Sequence, residues 1–210
     1  MAPRTPDQGP VRQAVFTALS GQAGDVSGKV DGPLLDMLRS VGGQSKRTQS
    51  GIDLTAAAAK LGLSRRSVER WVRSDLKPSA DHAMLLAKKS KQAATTQAGR
   101  REATAERRVA ATAARRVRVS ITGMQGPNIP AKFRNQDHRD RGYIRLRTTQ
   151  MVLTPEDAQA MYDAYERAGH KGFMDWAQQH WGANYLEDWS FLEVKDVRLD
   201  GHDGRSWYGL

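Results

Sequence analysis

The clearest pattern of apolar and polar positions lies at residues 54–73, LTAAAAKLGLSRRSVERWVR. Its first half places apolar residues at the spacing of one helix face. Gly62 then permits a turn with positive φ, and Ser64 can cap a second helix. Val68 and Trp71 give this second helix an apolar side. The spacing predicts two closely crossed helices joined by a tight turn, a helix-turn-helix.

The opposite side of the second helix is polar and mostly basic. Its outward positions are Ser64, Arg65, Arg66, Ser67, Glu69, Arg70 and Arg73. In helix-turn-helix proteins this side enters the major groove, where Arg suits the N7 and O6 atoms of guanine and Glu can accept from cytosine N4. We therefore predict that these residues contact DNA. For each one, contact with phosphate or solvent alone is the alternative.

After residue 116 the pattern changes to a period of two, which is typical of strands. The predicted strands are 116–122, 143–153 and 191–199. Residues 123–140 contain Gly and Pro breakers and are predicted to form a loop. Thr154 and Asp157 form a capping pattern that starts a helix, and a second helix is expected after Gly169. The order over 116–199 is β-β-α-α-β, which indicates a small α+β domain.

The stretch between these two parts is rich in Ala, Lys, Arg, Gln and Glu, and its one glycine is Gly99. This composition favours a long helix, with a break expected at Gly99. Its later part has few large apolar residues, so it is either a solvent-spanning helix or, as we favour, a segment that folds on DNA. The predicted division is 1–50 (N-terminal tail and short helices), 51–92 (helix-turn-helix domain), 93–115 (basic helix or linker), 116–199 (α+β domain) and 200–210 (C-terminal tail). The predicted fold class is α+β.

The net charge of +10 is concentrated in one segment. Residues 60–118 contain 16 Lys or Arg and 5 Asp or Glu, as expected of a protein that neutralises phosphates with one surface. The alternative is a helix solvated on all sides. The residues predicted to bind phosphate are Lys88, Lys89, Lys91, Arg100, Arg101, Arg107, Arg108, Arg115 and Arg116. From residue 154 onward acidic residues dominate, so we expect this part to bind protein.

Several classes of function lack their motifs. The chain has no cysteine, which excludes disulfides, thiolate catalysis and Cys-ligated zinc. The histidines lack metal-ligand spacing, and no P-loop, HExxH or nucleophile elbow is present. We expect no enzymatic catalysis, no cofactor and no metal. Neither a transmembrane run nor a signal peptide is present, so we expect a cytoplasmic, nucleoid-associated protein without a membrane partner.

Residues 50–199 resemble the telomere-protecting terminal proteins of linear actinobacterial (Streptomyces-type) chromosomes and plasmids. That family has a helix-turn-helix of the type xAxxLGVSxRTVERYV, and this chain has AAAAKLGLSRRSVERWV from Ala56 to Val72. A proline-marked helix and a basic linker follow. The next strand has the form RxRxxxxxL before a proline, here Arg145 to Pro155, and a final strand closes the pattern.

The resemblance implies a function at the ends of a linear replicon. Such proteins bind telomeric DNA, as duplex or folded single strand, recruit a telomere-associated protein, and offer a hydroxyl to which a DNA polymerase attaches the first nucleotide. The family's threonine position falls near Asp140, within residues 132–142, which contain no hydroxyl. The candidate priming hydroxyls are therefore Tyr143 and Thr122. An ordinary strand aromatic is the alternative for Tyr143.

Two other functions fit the same sequence. One is a helix-turn-helix transcriptional regulator whose C-terminal domain dimerises or binds a partner or ligand. The other is an accessory factor that tethers DNA to another protein. The sequence leaves homodimer formation open.

Overall fold

A computed structural model describes residues 8–127, 144–184 and 189–200. These residues form helices and one three-stranded antiparallel sheet, which confirms the predicted α+β class. The helices are α1 (Gln8–Ser20), α2 (Leu34–Gly42), α3 (Leu54–Leu61), α4 (Arg65–Val72), α5 (Ala80–Thr95), α6 (Gln97–Ala113) and α7 (Pro155–Asn184). The strands are β1 (Val117–Pro127), β2 (Arg145–Leu153) and β3 (Trp189–Asp200). Gly169, with φ 67° and ψ −151°, divides α7 into two helical parts, as the sequence predicts.

The chain folds into two compact units. The helical unit lies within Ser20–Glu106, and the sheet unit combines Met1–Leu19 with Arg107–Leu210. These bounds differ from the ranges read from the sequence. Helix α1 belongs to the sheet unit because Val15 and Leu19 are fully buried in the core beneath the sheet. Residues 20–50 belong to the helical unit because α2 packs on α3 and α5.

Residues 93–115, predicted as a basic helix or linker, are largely helical, and the break falls at Thr96 rather than at Gly99. Thr96 has extended dihedral angles (φ −97°, ψ 148°), and its Oγ1 accepts from the backbone N–H of Gly99 at 3.1 Å. A Cβ atom at Gly99 would collide with the carbonyl oxygen of Gln92. The glycine therefore lets α6 begin close against the end of α5, and α6 continues through it.

The sheet has the order β2-β1-β3, with β1 at its centre. Val119 pairs with Met151 of β2 and with Leu199 of β3, and the inward side of β1 packs on the core that contains α1 and α7. Residues 123–127, predicted as loop, instead continue β1. The register between β1 and β3 shifts twice here, and a Cβ at Gly123 would collide with the carbonyl oxygen of Glu193. Glycine thus allows the close approach that extends the pairing.

Tyr162 lies fully buried in the sheet unit, where its hydroxyl donates to the carbonyl oxygen of Leu19 at 3.1 Å. Desolvation raises the pKa of this phenol well above its ordinary value of 10.0. The hydrogen bond joins the end of α1 to α7 and helps explain why α1 belongs to this unit.

We expect the free energy of unfolding to decrease as the pH rises above about 10, because the unfolded chain then releases the Tyr162 proton while the folded chain retains it. This contribution is fully present below pH 10 and declines above it, by up to about 1.4 kcal/mol per pH unit. Tyr162→Phe should lose stability at neutral pH but show a shallower alkaline decline. Urea denaturation of both proteins at pH 8 and pH 11 measures this difference. Parallel pH profiles would contradict the prediction.

Candidate nucleic-acid interface

Helix α3 is defined by a cap at each end. The Asp53 carboxylate accepts from two backbone N–H groups of the first turn, at 2.9 and 3.0 Å. The helix ends at Gly62 in the left-handed conformation, with φ 67° and ψ 31°. The N–H of Leu63 then donates to the carbonyl oxygen of Ala58 at 2.9 Å, which closes the turn. The predicted turn with positive φ at Gly62 is confirmed.

Helix α4 begins directly after this turn. The Ser64 Oγ accepts from the backbone N–H of Ser67 at 3.1 Å, and the two serine hydroxyls lie 2.9 Å apart. Val68 and Trp71 are buried in the same core as α3, and the Trp71 ring lies beside His82 of α5. Because the apolar side of α4 is held in the core, its opposite side is fixed toward solvent.

The outward side of α4 is strongly basic. Arg65, Arg66, Arg70 and Arg73 are exposed. Arg65 pairs with Glu69, with 2.7 Å between Nε and Oε1. Arg66, Arg70 and Arg73 form no ion pair with any residue that the structure describes. Unpaired guanidinium groups on an exposed helix face can bind phosphate or the edges of bases without first breaking an internal contact.

The basic residues after the helix-turn-helix do not form one continuous surface. Lys88 and Arg101 are exposed, and Lys89 is half-buried beside a cavity. Arg100 is only 6% exposed, and its Nη1 lies 3.4 Å from the carbonyl oxygen of Ala94. A buried guanidinium that is directed to a carbonyl cannot lie against a DNA backbone without rearrangement. This corrects the sequence-based view of Arg100.

Arg107 and Arg108 also have internal partners, both in the sheet unit. Arg107 Nη2 donates to the carbonyl oxygen of Leu199 at 2.5 Å. Arg108 contacts Asp163 and the buried Glu166, each at 2.6 Å. The hydrogen bond that Arg108 donates to the Glu166 carboxylate is the main cause of the raised pKa of Arg108. These two arginines hold the end of α6 against α7 and β3, so we leave them out of the exposed basic surface.

The two candidate priming hydroxyls have different positions. Thr122 lies within β1 rather than in a connection, and it pairs with Thr148 of β2 and Asp196 of β3. Its Oγ1 is 2.8 Å from the Oγ1 of Thr148. Thr122 therefore lies in the middle of β1 rather than at its predicted end, because β1 is longer than its alternating pattern indicates. Tyr143 lies outside the residues that the structure describes.

A buried polar network near the ends of the strands was not found from the sequence. Gln125 is fully buried, and its amide nitrogen donates to the carbonyl oxygen of Arg147 at 2.9 Å. Its amide oxygen accepts from Thr149 at 2.7 Å and from Trp189 at 3.3 Å. Trp181 in turn donates to the hydroxyl of Thr149 at 3.0 Å. The network ties β1, β2, β3 and α7 together next to the connection between β1 and β2.

Within the described ranges, no group of three or more Asp, Glu or His side chains is arranged to hold a metal ion. In the same part of the chain, no helix has both the length and the apolar character needed to cross a membrane. Comparison with protein-family models, with curated proteins and with solved structures finds no match for this chain.

Proposed function

We propose that this protein binds duplex DNA by placing α4 in the major groove. The observation that carries the proposal is the exposed, unpaired basic side of a short helix whose opposite side is anchored by Val68 and Trp71. Arg66 and Arg70 are four residues apart, so they lie on neighbouring turns of the same side. Each can donate two hydrogen bonds to the N7 and O6 atoms of a guanine.

Glu69 adds one acceptor to the basic face of α4, which is a feature of base recognition that attraction to phosphate does not require. Arg65 holds the Glu69 carboxylate at 2.7 Å. In that position Glu69 can accept from the N4 amino group of a cytosine. The α4 face thus combines donors for guanine with one acceptor for cytosine.

From the resemblance to the terminal proteins, we propose further that the DNA is the end of a linear replicon and that the protein caps and primes it. In this reaction a protein hydroxyl oxygen attacks the α-phosphorus of a deoxynucleoside triphosphate. A phosphoester bond forms, pyrophosphate leaves and the hydroxyl proton passes to solvent. We favour Tyr143 over Thr122, because the Thr122 hydroxyl is paired with Thr148 inside the sheet. A telomere-associated protein and a DNA polymerase are the partners in this proposal.

The test is a nucleotide-transfer assay with the full chain, labelled dCTP and the other nucleotides, a telomeric template and cell extract. We expect label on the protein that survives boiling in detergent. Tyr143→Phe should abolish this label, and Thr122→Ala, the control, should retain it. Loss in Thr122→Ala alone would reverse the assignment. DNA binding without any label would favour the transcriptional regulator.

A further inference from the structure

An apolar groove crosses the helical unit between the start of α2 and the start of α5. Its volume is about 410 Å³, and its apolar lining includes Val30, Leu34, Met37, Pro78 and Ala83. The buried residue Leu86 lies at the same groove and belongs to the core of this unit. The groove is therefore an opening onto the hydrophobic core rather than a polar surface depression.

One large apolar residue at the groove is well exposed. Val30 lines it and is 50% exposed. Beside it, Leu34 is partly buried and Met37 is 2% exposed, so the apolar lining runs from the surface into the core. Exposed apolar surface of this kind is typical of a protein-binding site.

Two charges of opposite sign also line the groove. Asp31 precedes α2 and Lys77 precedes α5, and neither forms an ion pair with a described residue. In an interface with twofold symmetry, residue i of one copy meets residue j of the other, and j meets i. In such a dimer, Asp31 of each copy can form an ion pair with Lys77 of the other copy. A second copy of this chain supplies both the apolar surface and the complementary charges.

We propose that two copies of this chain form a twofold dimer through this groove. No residue of α4 lines the groove, so the interface does not use the basic side of that helix. A dimer would present two α4 helices and would suit a DNA site with two half-sites about one helical turn, roughly 34 Å, apart. This last consequence rests on the proposed DNA binding, whereas the dimer itself does not.

The oligomeric state of the 210-residue chain is measured without DNA by light scattering after size exclusion and by sedimentation equilibrium. We expect a dimer whose dissociation constant increases at least about tenfold in Val30→Glu, since a charge must then enter the apolar interface. Val152→Glu is the matched control, because Val152 lies in β2 and is 49% exposed, against 50% for Val30. It should remain dimeric. Circular dichroism establishes that both variants are folded.

A charge exchange tests the pairing itself. Asp31→Lys and Lys77→Asp should each weaken the dimer at least about tenfold, because each places like charges together, and the double variant should recover most of the loss. Wild-type protein that is monomeric up to about 100 µM would overturn the proposal, as would equal behaviour of the two valine variants. A double variant, Asp31→Lys with Lys77→Asp, that stays as weak as the single variants would also overturn the proposal.

These outcomes are separate from a failure of the proposed function. A protein that is monomeric but binds DNA would refute only the dimer. A protein that dimerises through the groove but ignores DNA at low ionic strength would refute only the DNA binding. Val30→Glu should retain weak binding to a single half-site, since the side of α4 that contacts DNA is unchanged.

Discussion

Replacement of Arg66 and Arg70 together by Ala is expected to weaken binding to the preferred DNA sequence by a factor of about 30 or more. Each bidentate contact from Arg to guanine contributes about 1–3 kcal/mol of discrimination. Two such contacts give about 2–6 kcal/mol, and 1.4 kcal/mol corresponds to a factor of ten. Binding to unrelated sequences should decrease less, because phosphate contacts by other basic residues remain.

The measurement begins with selection of preferred duplexes from a random pool, followed by fluorescence anisotropy at two salt concentrations. The control is Arg145→Ala with Arg198→Ala, which removes the same two charges from exposed positions in β2 and β3. We expect this control to keep its sequence preference. Equal losses in both double variants would mean that α4 contributes only charge, and the assignment of α4 as the recognition helix would then be wrong.

The structure separates basic residues that the sequence places in one group. From the sequence, the arginines at 100, 101, 107 and 108 form one phosphate-binding group with the lysines of α5. In the structure Arg100 is buried, and Arg107 and Arg108 are bound within the sheet unit. Of the basic residues predicted to bind DNA, those exposed in the helical unit are therefore Arg65, Arg66, Arg70 and Arg73 at α4, Lys88 and Lys91 on α5, and Arg101 on α6. Removal of Arg108 would test stability rather than DNA affinity.

The helix-turn-helix was predictable because its determinants are local. A carboxylate cap at Asp53, a left-handed glycine at Gly62 and a serine cap at Ser64 each act within four residues of their own position. The apolar residues Val68 and Trp71 are spaced to share one helix side. The capping pair Thr154 and Asp157 is local in the same way, with hydrogen bonds of 2.9 and 3.2 Å that start α7.

The features that were missed depend on contacts between distant parts of the chain. The extension of β1 through Gly123 and Gln125 requires β3, some 70 residues later, and two register shifts that no local pattern encodes. Arg108 on α6 pairs with Glu166 on α7, far away in the chain, so no local pattern indicates this contact. Gln125 lies in the extended part of β1, where its buried amide accepts a hydrogen bond from Thr149. In the sequence a polar glutamine between glycines indicates a loop, so this strand residue was not recognised.

The assignment of α1 to the sheet unit has the same physical origin. The helix is only weakly amphipathic, and its position depends on burial of Val15 and Leu19 with Ala111, and on the hydrogen bond from Tyr162. Where a helix is only weakly amphipathic, packing against the core determines its position. Ser74 is different: it has φ 63° without a glycine, and the contacts around it are local, with the N–H of Asp75 donating to the carbonyl oxygen of Arg70 at 3.0 Å.

The Trp181→Ala substitution is expected to have the largest effect on stability in the sheet unit, about 3–5 kcal/mol, which is a large share of the roughly 5–15 kcal/mol that stabilises a typical domain. Trp181 is fully buried, packs edge-on against Phe191 with ring centroids 5.7 Å apart, and donates to Thr149 at 3.0 Å. Its removal leaves a cavity and deprives the polar network around Gln125 of the contact from α7.

Trp176→Ala is the matched control, because Trp176 lies in the same half of α7 but is only partly buried, with its ring stacked on His180 at 4.9 Å. Trp176→Ala should lower the free energy of unfolding by about 1–2 kcal/mol. Less apolar surface is buried at Trp176, and its removal breaks no hydrogen bond to Thr149. Urea denaturation followed by far-ultraviolet circular dichroism measures both variants. A loss in Trp181→Ala no greater than that in Trp176→Ala would show that the strand ends do not depend on this indole. The polar network around Gln125 would then contribute little to stability, because loss of the hydrogen bond from Trp181 would leave the pairing of β1, β2 and β3 intact.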